Sequence, residues 1–180
     1  PCIGAFLPKK DGFTFLVDVG SLVDSKARHL YQFAELSTAL LQNINNLTSP
    51  RVALLNIGSE KTKGNLLSKE TFDLLENSDL NFIGNIEGDR ILSNDVDIVL
   101  TDGFTGNVIL KMYEQTLPFI SENVFAKVQD KNVSAVAVEA LSELTEQLDY
   151  QNYGGVPILG LNGISIVCHG RSTVLAIKNA

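Results

Sequence analysis

Between Asp95 and Lys111 the chain reads Asp-Val-Asp-Ile-Val-Leu-Thr-Asp-Gly-Phe-Thr-Gly-Asn-Val-Ile-Leu-Lys. A run of β-branched and leucine residues, Val96 to Leu100, ends at Thr101-Asp102, breaks at Gly103 and gives way to an amphipathic pattern after Gly106-Asn107. The pattern predicts a strand, a tight loop and a helix with Asn107 at its N-terminus. In open α/β sheets ligands bind beyond the carboxyl ends of the strands, where loop N–H groups and a helix N-terminus face the same space. An anion is the expected occupant.

The flanking segments repeat this alternation of strand and helix, the mark of βαβ units. Cys2 to Leu7 and Phe13 to Val19 read as two strands joined across Pro8 and Lys9-Lys10-Asp11-Gly12 into a hairpin. From Ser25 to Asn46, Ala27, Leu30, Phe33, Ala34, Leu40, Leu41 and Ile44 fall at helical spacing, with Asp24 or Ser25 as cap. Val52 to Ile57 is a continuous apolar run of the kind buried on both faces of a parallel sheet. The polar loop Gly58 to Asn65 follows, then a short helix opened by Ser68 and Thr71, then a strand within Asn81 to Gly88. Beyond Asn107 the spacing predicts one long helix, bent or interrupted near Pro118, and a second from Val133 to Leu148. Together they form an antiparallel helical hairpin over about residues 107–149, whose surplus apolar face suits a subunit interface. The tail adds a strand, Ile164 to Cys168, and a helix from His169-Gly170-Arg171-Ser172 to Ala180. All 180 residues read as a single α/β unit.

Charge narrows the partners. A net charge of −7 argues against nucleic acid as the main ligand, because counterion release needs clustered Lys and Arg. Apolar runs all fall short of the ~20 residues a spanning helix needs. Cys2 and Cys168 form no CxxC pair and no metal-ligand spacing, which fits a reducing, cytoplasmic compartment. Pro1 to Lys10 carries no initiator Met and no leader pattern, and reads as the middle of something longer.

Four loops share one grammar of apolar strand, then glycine with Asn, Asp, Lys or Ser, then helix: Asp18 to Asp24, Asn56 to Asn65, Asp102 to Asn107 and His169 to Ser172. In a doubly wound sheet such loops lie on one edge and can converge on a cleft. Lys61 reads as a solvated surface lysine, whereas Lys63, between Thr62 and Gly64-Asn65, suits an oxyanion contact. Asn107 is either a helix cap or an amide presented to a carbonyl or phosphate oxygen. His169 is either a ligand contact at a strand end or a turn histidine bonded to backbone. Cys168 and His169 make no dyad, since strand neighbours point to opposite faces, and His29 reads as structural or exposed. No Gly-x-Ser-x-Gly elbow, dinucleotide fingerprint or Walker loop occurs.

The ordered set Asp18-Val19-Gly20, Asn56-Ile57-Gly58 through Lys63-Gly64-Asn65, Asn81 to Gly88, Thr101 to Val108, Leu148-Asp149-Tyr150 with Tyr153-Gly154-Gly155, Gly160-Leu161-Asn162-Gly163 and His169-Gly170 resembles the bacterial phosphate acyltransferases. These are the acyl-carrier-protein:phosphate acyltransferases of phospholipid synthesis, and the chain is similar to roughly the C-terminal half of their pattern. The resemblance implies a three-layer αβα fold with a mostly parallel sheet, like that of isopropylmalate dehydrogenase and phosphotransacetylase. It implies attack of orthophosphate on the thioester of a fatty acyl-[acyl carrier protein], without metal or organic cofactor. It puts Lys63 and Asn107 at the chemistry, with Asp18, Gly58, Gly64, Asn65, Asp102, Gly103, Thr105 and Gly106 as substrate or phosphate contacts and His169 as the far wall. A homodimer touching the inner membrane face peripherally is also implied. Alternatives are a coenzyme A-dependent phosphate acetyl- or butyryltransferase, and a non-catalytic dimerisation or membrane-docking module.

Overall fold

The computed structural model describes residues 1–44, 47–129, 138–140, 142–143, 145, 154–170 and 172–180. Its centre is one seven-stranded sheet in the order β4-β3-β5-β2-β1-β6-β7. The strands are β1 (Cys2–Pro8), β2 (Phe13–Val17), β3 (Val52–Leu55), β4 (Phe82–Ile86), β5 (Ile98–Leu100), β6 (Val156–Leu159) and β7 (Ile166–Val167). Helices bounded within the described residues are α1 (Ala27–Ile44), α2 (Leu66–Glu76), α3 (Gly103–Gln129) and α4 (Val174–Asn179), with a 3₁₀ turn at Gly88–Arg90.

Parallel pairing joins β4 to β3, β3 to β5 and β5 to β2. From β2 onward the sheet turns antiparallel, through β1, β6 and β7. The reason is local: β1 and β2 are joined by a turn in which the Lys9 N–H donates to the Gly12 carbonyl at 3.0 Å, and so short a connection permits only an antiparallel pair. The parallel strands need helical crossovers, and each has one or a long loop.

Helices cover both faces of the sheet. On one, α1 and α2 pack Leu30, Phe33, Ala34, Leu41, Phe72 and Leu75 onto Phe15, Val17, Val52, Leu54, Ile98 and Leu100. On the other, Ile109, Leu110 and Tyr113 of α3 and Ile91 after the 3₁₀ turn close over Ala5, Leu7, Leu16, Ala53 and Val99. Each fully buried Leu or Ile contributes about 1.5–3 kcal/mol. Arg51, just before β3, holds the Asp97 carboxylate with its Nε and Nη2 at 2.8 Å, which ties the starts of β3 and β5 together.

Two helices begin elsewhere than expected. Helix α2 begins at Leu66 with Asn65 as its cap, ahead of Ser68, because the Asn65 Oδ1 accepts from the Ser68 N–H at 2.9 Å. Helix α3 begins at Gly103, so Asn107 lies a full turn inside it, and the helix continues through Pro118. The second arm of the helical hairpin falls largely on residues outside those described, as do Leu148, Asp149, Tyr150 and Tyr153 of the motif set.

Candidate functional site

The parallel strands end in register, with Val17 opposite Leu100, Leu54 opposite Leu100 and Leu55 opposite Ile86. The loops after β2, β3 and β5 therefore leave the sheet on one edge. Two of them run directly into helices α2 and α3, whose first-turn N–H groups carry the positive end of the helix dipole.

The loop after β2 is organised from below by Asp18. Its side chain is fully buried. Oδ1 accepts from the N–H groups of Ile3, Gly20 and Ser21 at 3.1, 3.2 and 3.0 Å. Oδ2 accepts from the Leu22 N–H at 2.8 Å and the Ser21 hydroxyl at 2.7 Å. Both oxygens are thus engaged within the loop, and the carboxylate shapes it from beneath.

The loop after β5 is drawn tight against this one. Gly103 donates its N–H to the Leu22 carbonyl at 3.0 Å. A Cβ at Gly106 would lie 1.9 Å from the Asp18 carbonyl oxygen, so only glycine lets the first turn of α3 approach this closely. Asp102 caps the helix, accepting from the Thr105 N–H at 2.9 Å and the Thr105 hydroxyl at 2.8 Å. Asn107 donates its amide to the Val19 carbonyl at 3.1 Å and so joins α3 to the loop after β2.

The loop after β3 is held by Asn56, whose Nδ2 donates to the Lys63 carbonyl at 3.1 Å and whose Oδ1 accepts from the Ile57 N–H at 2.8 Å. Gly64 has φ +89°, and a Cβ there would meet the Asn56 side-chain oxygen at 2.4 Å. That pairing of left-handed backbone and close approach turns the chain into α2. Lys61 is drawn away to Asp73 and Glu76 of α2 and over the Phe72 ring, in keeping with a surface role. Lys63 is exposed, lays its stem against Gly58, and has no part in the ion pairs among the described residues.

Between the loops after β3 and β5 opens a cleft of about 430 Å³. Gly64, Asn65, Asp102 and Thr105, all foreseen from sequence, line it. Leu55, Asn56, Ile57, Ser68, Gly88 and Thr101 complete the lining, and none of them is among the site residues expected from sequence. Asn56 carried a usable signal, a polar residue inside an apolar run, because β3 stops at Leu55 and Asn56 begins the loop. Lys63 stands one residue outside the lining, Asn107 and Asp18 lie behind the neighbouring loop, and Gly58, Gly103 and Gly106 serve the backbone geometry. His169 is elsewhere: with Leu110, Lys111 and Glu114 it lines a separate cavity of about 220 Å³ toward the antiparallel end of the sheet. The cleft combines two helix N-termini and amide and hydroxyl groups, which suit an oxyanion, with one carboxylate, Asp102, whose two oxygens are engaged by Thr105; Lys63 is adjacent in sequence to Gly64 of the lining.

Comparison with known proteins finds matches over the whole length of the chain. The model of a family described as "Fatty acid synthesis protein" matches residues 1–180. A protein of Pelotomaculum thermopropionicum named "Phosphate acyltransferase" is 42% identical over 184 residues, covering 100% of this chain and 54% of its own length. Proteins of the same name from Moorella thermoacetica and Thermodesulfovibrio yellowstonii are 43% and 42% identical, again over 100% of this chain and over 54% and 53% of their own lengths. The chain spans about half the length of the curated relatives it matches. A match to the family model from the first residue to the last, joined to identities of this size, establishes that the chain belongs to the fatty acid synthesis protein family.

Proposed function

We propose that the chain carries part of the active site of a phosphate acyltransferase that makes acyl phosphate from orthophosphate and a fatty acyl-[acyl carrier protein]. The observation that supports this most is the strand-end cleft lined by Asn56, Gly64, Asn65, Asp102 and Thr105 in a chain whose relatives bear that name. In the reaction a phosphate oxygen attacks the thioester carbon, a C–O bond forms, and the C–S bond breaks to release a thiolate that takes up a proton. The protein's tasks are to hold one anion against another electron-rich group and to stabilise the tetrahedral oxyanion. The N-terminal turns of α2 and α3 receive the phosphate. Lys63 swings from the rim onto phosphate or oxyanion, and Asn107, released from Val19, turns its amide to the acyl carbonyl. His169 enters as a far wall only through a rearrangement that brings its cavity toward the cleft.

The same reading carries a cytoplasmic homodimer that touches the inner membrane face peripherally. Exposed Phe104, Phe119 and Ile120 on α3 support such contacts, and among the described residues no helix is long and apolar enough to cross a membrane.

The test is formation of acyl phosphate, trapped with hydroxylamine, by this chain joined to the remainder of the family's length. Lys63→Ala and Asn107→Ala are expected to lower kcat by about 10²–10³, the loss typical of an oxyanion donor. Full turnover in both variants would refute the site. Acyl-carrier-protein and coenzyme A thioesters, run in competition, identify the carrier; preference for coenzyme A would overturn the donor named here.

A further inference from the structure

The strand-end cleft does not stop at the sheet edge. Gly88 lines both it and a second, larger cavity of about 640 Å³ that runs down the sheet face beside α3. One stripe of α3 serves both: Thr105 faces the cleft, and Val108, Met112 and Thr116 face the groove. At about 1.5 Å per residue the stripe is ~16 Å long, roughly the span of a saturated chain of a dozen carbons.

Chemistry changes along this path. The cleft presents Asn56, Asn65, Ser68, Thr101 and Asp102, whereas the groove presents Leu7, Ile91, Leu92, Val108, Met112 and Tyr113. Two of the polar groups that border the groove, Lys9 and Tyr113, are tied off, and the exposed Lys10 stands at its β1 end. Lys9 is 6% exposed and gives its ammonium to the carbonyls of Ser93 and Val96 at 2.9 and 2.6 Å, which leaves its aliphatic stem for the groove. Tyr113 donates its hydroxyl to the Pro8 carbonyl at 2.9 Å, so its ring is the part on offer. Met112 is 69% exposed, Val108 55% and Leu92 43%. Clustered exposure of large apolar side chains beside a polar cleft marks a site for a ligand with one polar and one apolar end. Methionine suits a tail of varying length, since its unbranched thioether repacks readily.

We infer that the groove between α3, the end of β1 and the turn at Gly88–Leu92 holds the hydrocarbon tail of the acyl group, with the reacting carbonyl at Gly88 and the strand-end cleft. The inference rests on the acyltransferase reading for its choice of occupant, and it adds a chain-length ruler that begins at Thr105 and closes at Thr116. Each methylene buried adds about 0.8 kcal/mol, so each two-carbon extension tightens binding about tenfold until the groove is filled.

The chain contains no tryptophan, so a single introduced one reports alone. Met112→Trp and, as a second position, Val108→Trp are titrated in the 180-residue chain with fatty acids brominated along the tail; Val174→Trp, 86% exposed on α4, is the reference. Saturable quenching at positions 112 and 108 and not at 174, tightening about tenfold per two carbons, is the expected result. Equal quenching at all three positions, or none at 112 and 108, overturns the groove. This readout needs no turnover. Quenching without acyl-phosphate formation in the joined protein would therefore refute the reaction and keep the tail site, and turnover without quenching would do the reverse.

Discussion

Replacing Asp18 by asparagine removes one of two buried oxygens that together accept five hydrogen bonds. An amide nitrogen at the Oδ1 position would leave the N–H groups of Ile3, Gly20 and Ser21 facing a donor. The cheaper orientation puts the nitrogen at Oδ2, where the Ser21 hydroxyl can rotate to accept but the Leu22 N–H, now 2.8 Å from a donor, cannot. One buried N–H without an acceptor costs about 1–3 kcal/mol, and loss of charge weakens the three bonds at Oδ1 by roughly half a kcal/mol or more each. The sum is about 3–5 kcal/mol, a large share of the 5–15 kcal/mol that a domain typically has. Urea denaturation followed by far-ultraviolet circular dichroism reads it as a lower midpoint at unchanged slope, and thermal melting as a fall on the order of 10 °C. The damage should spread through the bond from Gly103 to Leu22, so amide exchange at Gly103 rises ahead of exchange at β3. Ser21→Ala, which removes one hydroxyl, is expected to cost about 1 kcal/mol. A loss below about 1 kcal/mol in Asp18→Asn would refute the reasoning, because it would mean that the loop does not depend on that carboxylate.

Gly106→Ala places a methyl group 1.9 Å from the Asp18 carbonyl oxygen, and backbone cannot yield as a side chain can. It should destabilise by about 3 kcal/mol or more and shift the first turn of α3, measurable by denaturation and by chemical-shift changes at Thr105. Asn65→Ala removes the cap of α2, which accepts from the Ser68 N–H and hydroxyl, at a cost of about 1 kcal/mol, and lowers phosphate affinity in calorimetric titration. For Asp97, burial pushes the carboxyl up, and the hydrogen bonds and charge of Arg51 outweigh it, holding the group below the usual carboxylate value. Its folded value thus lies below the unfolded one, so the stabilisation is complete above the unfolded carboxylate range and fades as pH falls through the folded value. Asp97→Asn should flatten the acid side of a stability–pH curve, and an unchanged acid slope would remove this pair from the account.

Local patterns carried much of the fold. The hairpin of β1 and β2, helix α1 within the predicted span, and the strands β3, β4 and β5 follow from apolar periodicity and turn residues, which act over a few neighbours and can be read along the chain. The strand–loop–helix at Asp95 to Lys111 was legible for the same reason, and so was the gathering of Gly64, Asn65, Asp102 and Thr105 on one sheet edge. What the tertiary structure decided is where side chains distant in sequence meet. Gly103 and Gly106 look locally like helix breakers, yet they lie inside α3, because their role is set by the carbonyls of Leu22 and Asp18 pressing on them. Asp18 looked like a ligand, and the fold turned its oxygens inward onto five donors. Lys63 and Asn107 stand beside the cleft rather than in its lining, and His169 lies across α3 in another cavity, since strand order separates its loop from the others. The surplus apolar face of the helix after Asn107 is legible in sequence, but its place beside the cleft is not. The groove exists because α3 packs Ile109, Leu110 and Tyr113 toward the sheet, with Ile109 and Tyr113 bordering the groove from that side, while Val108 and Met112 stay exposed, and that choice is made by the contact between helix and sheet.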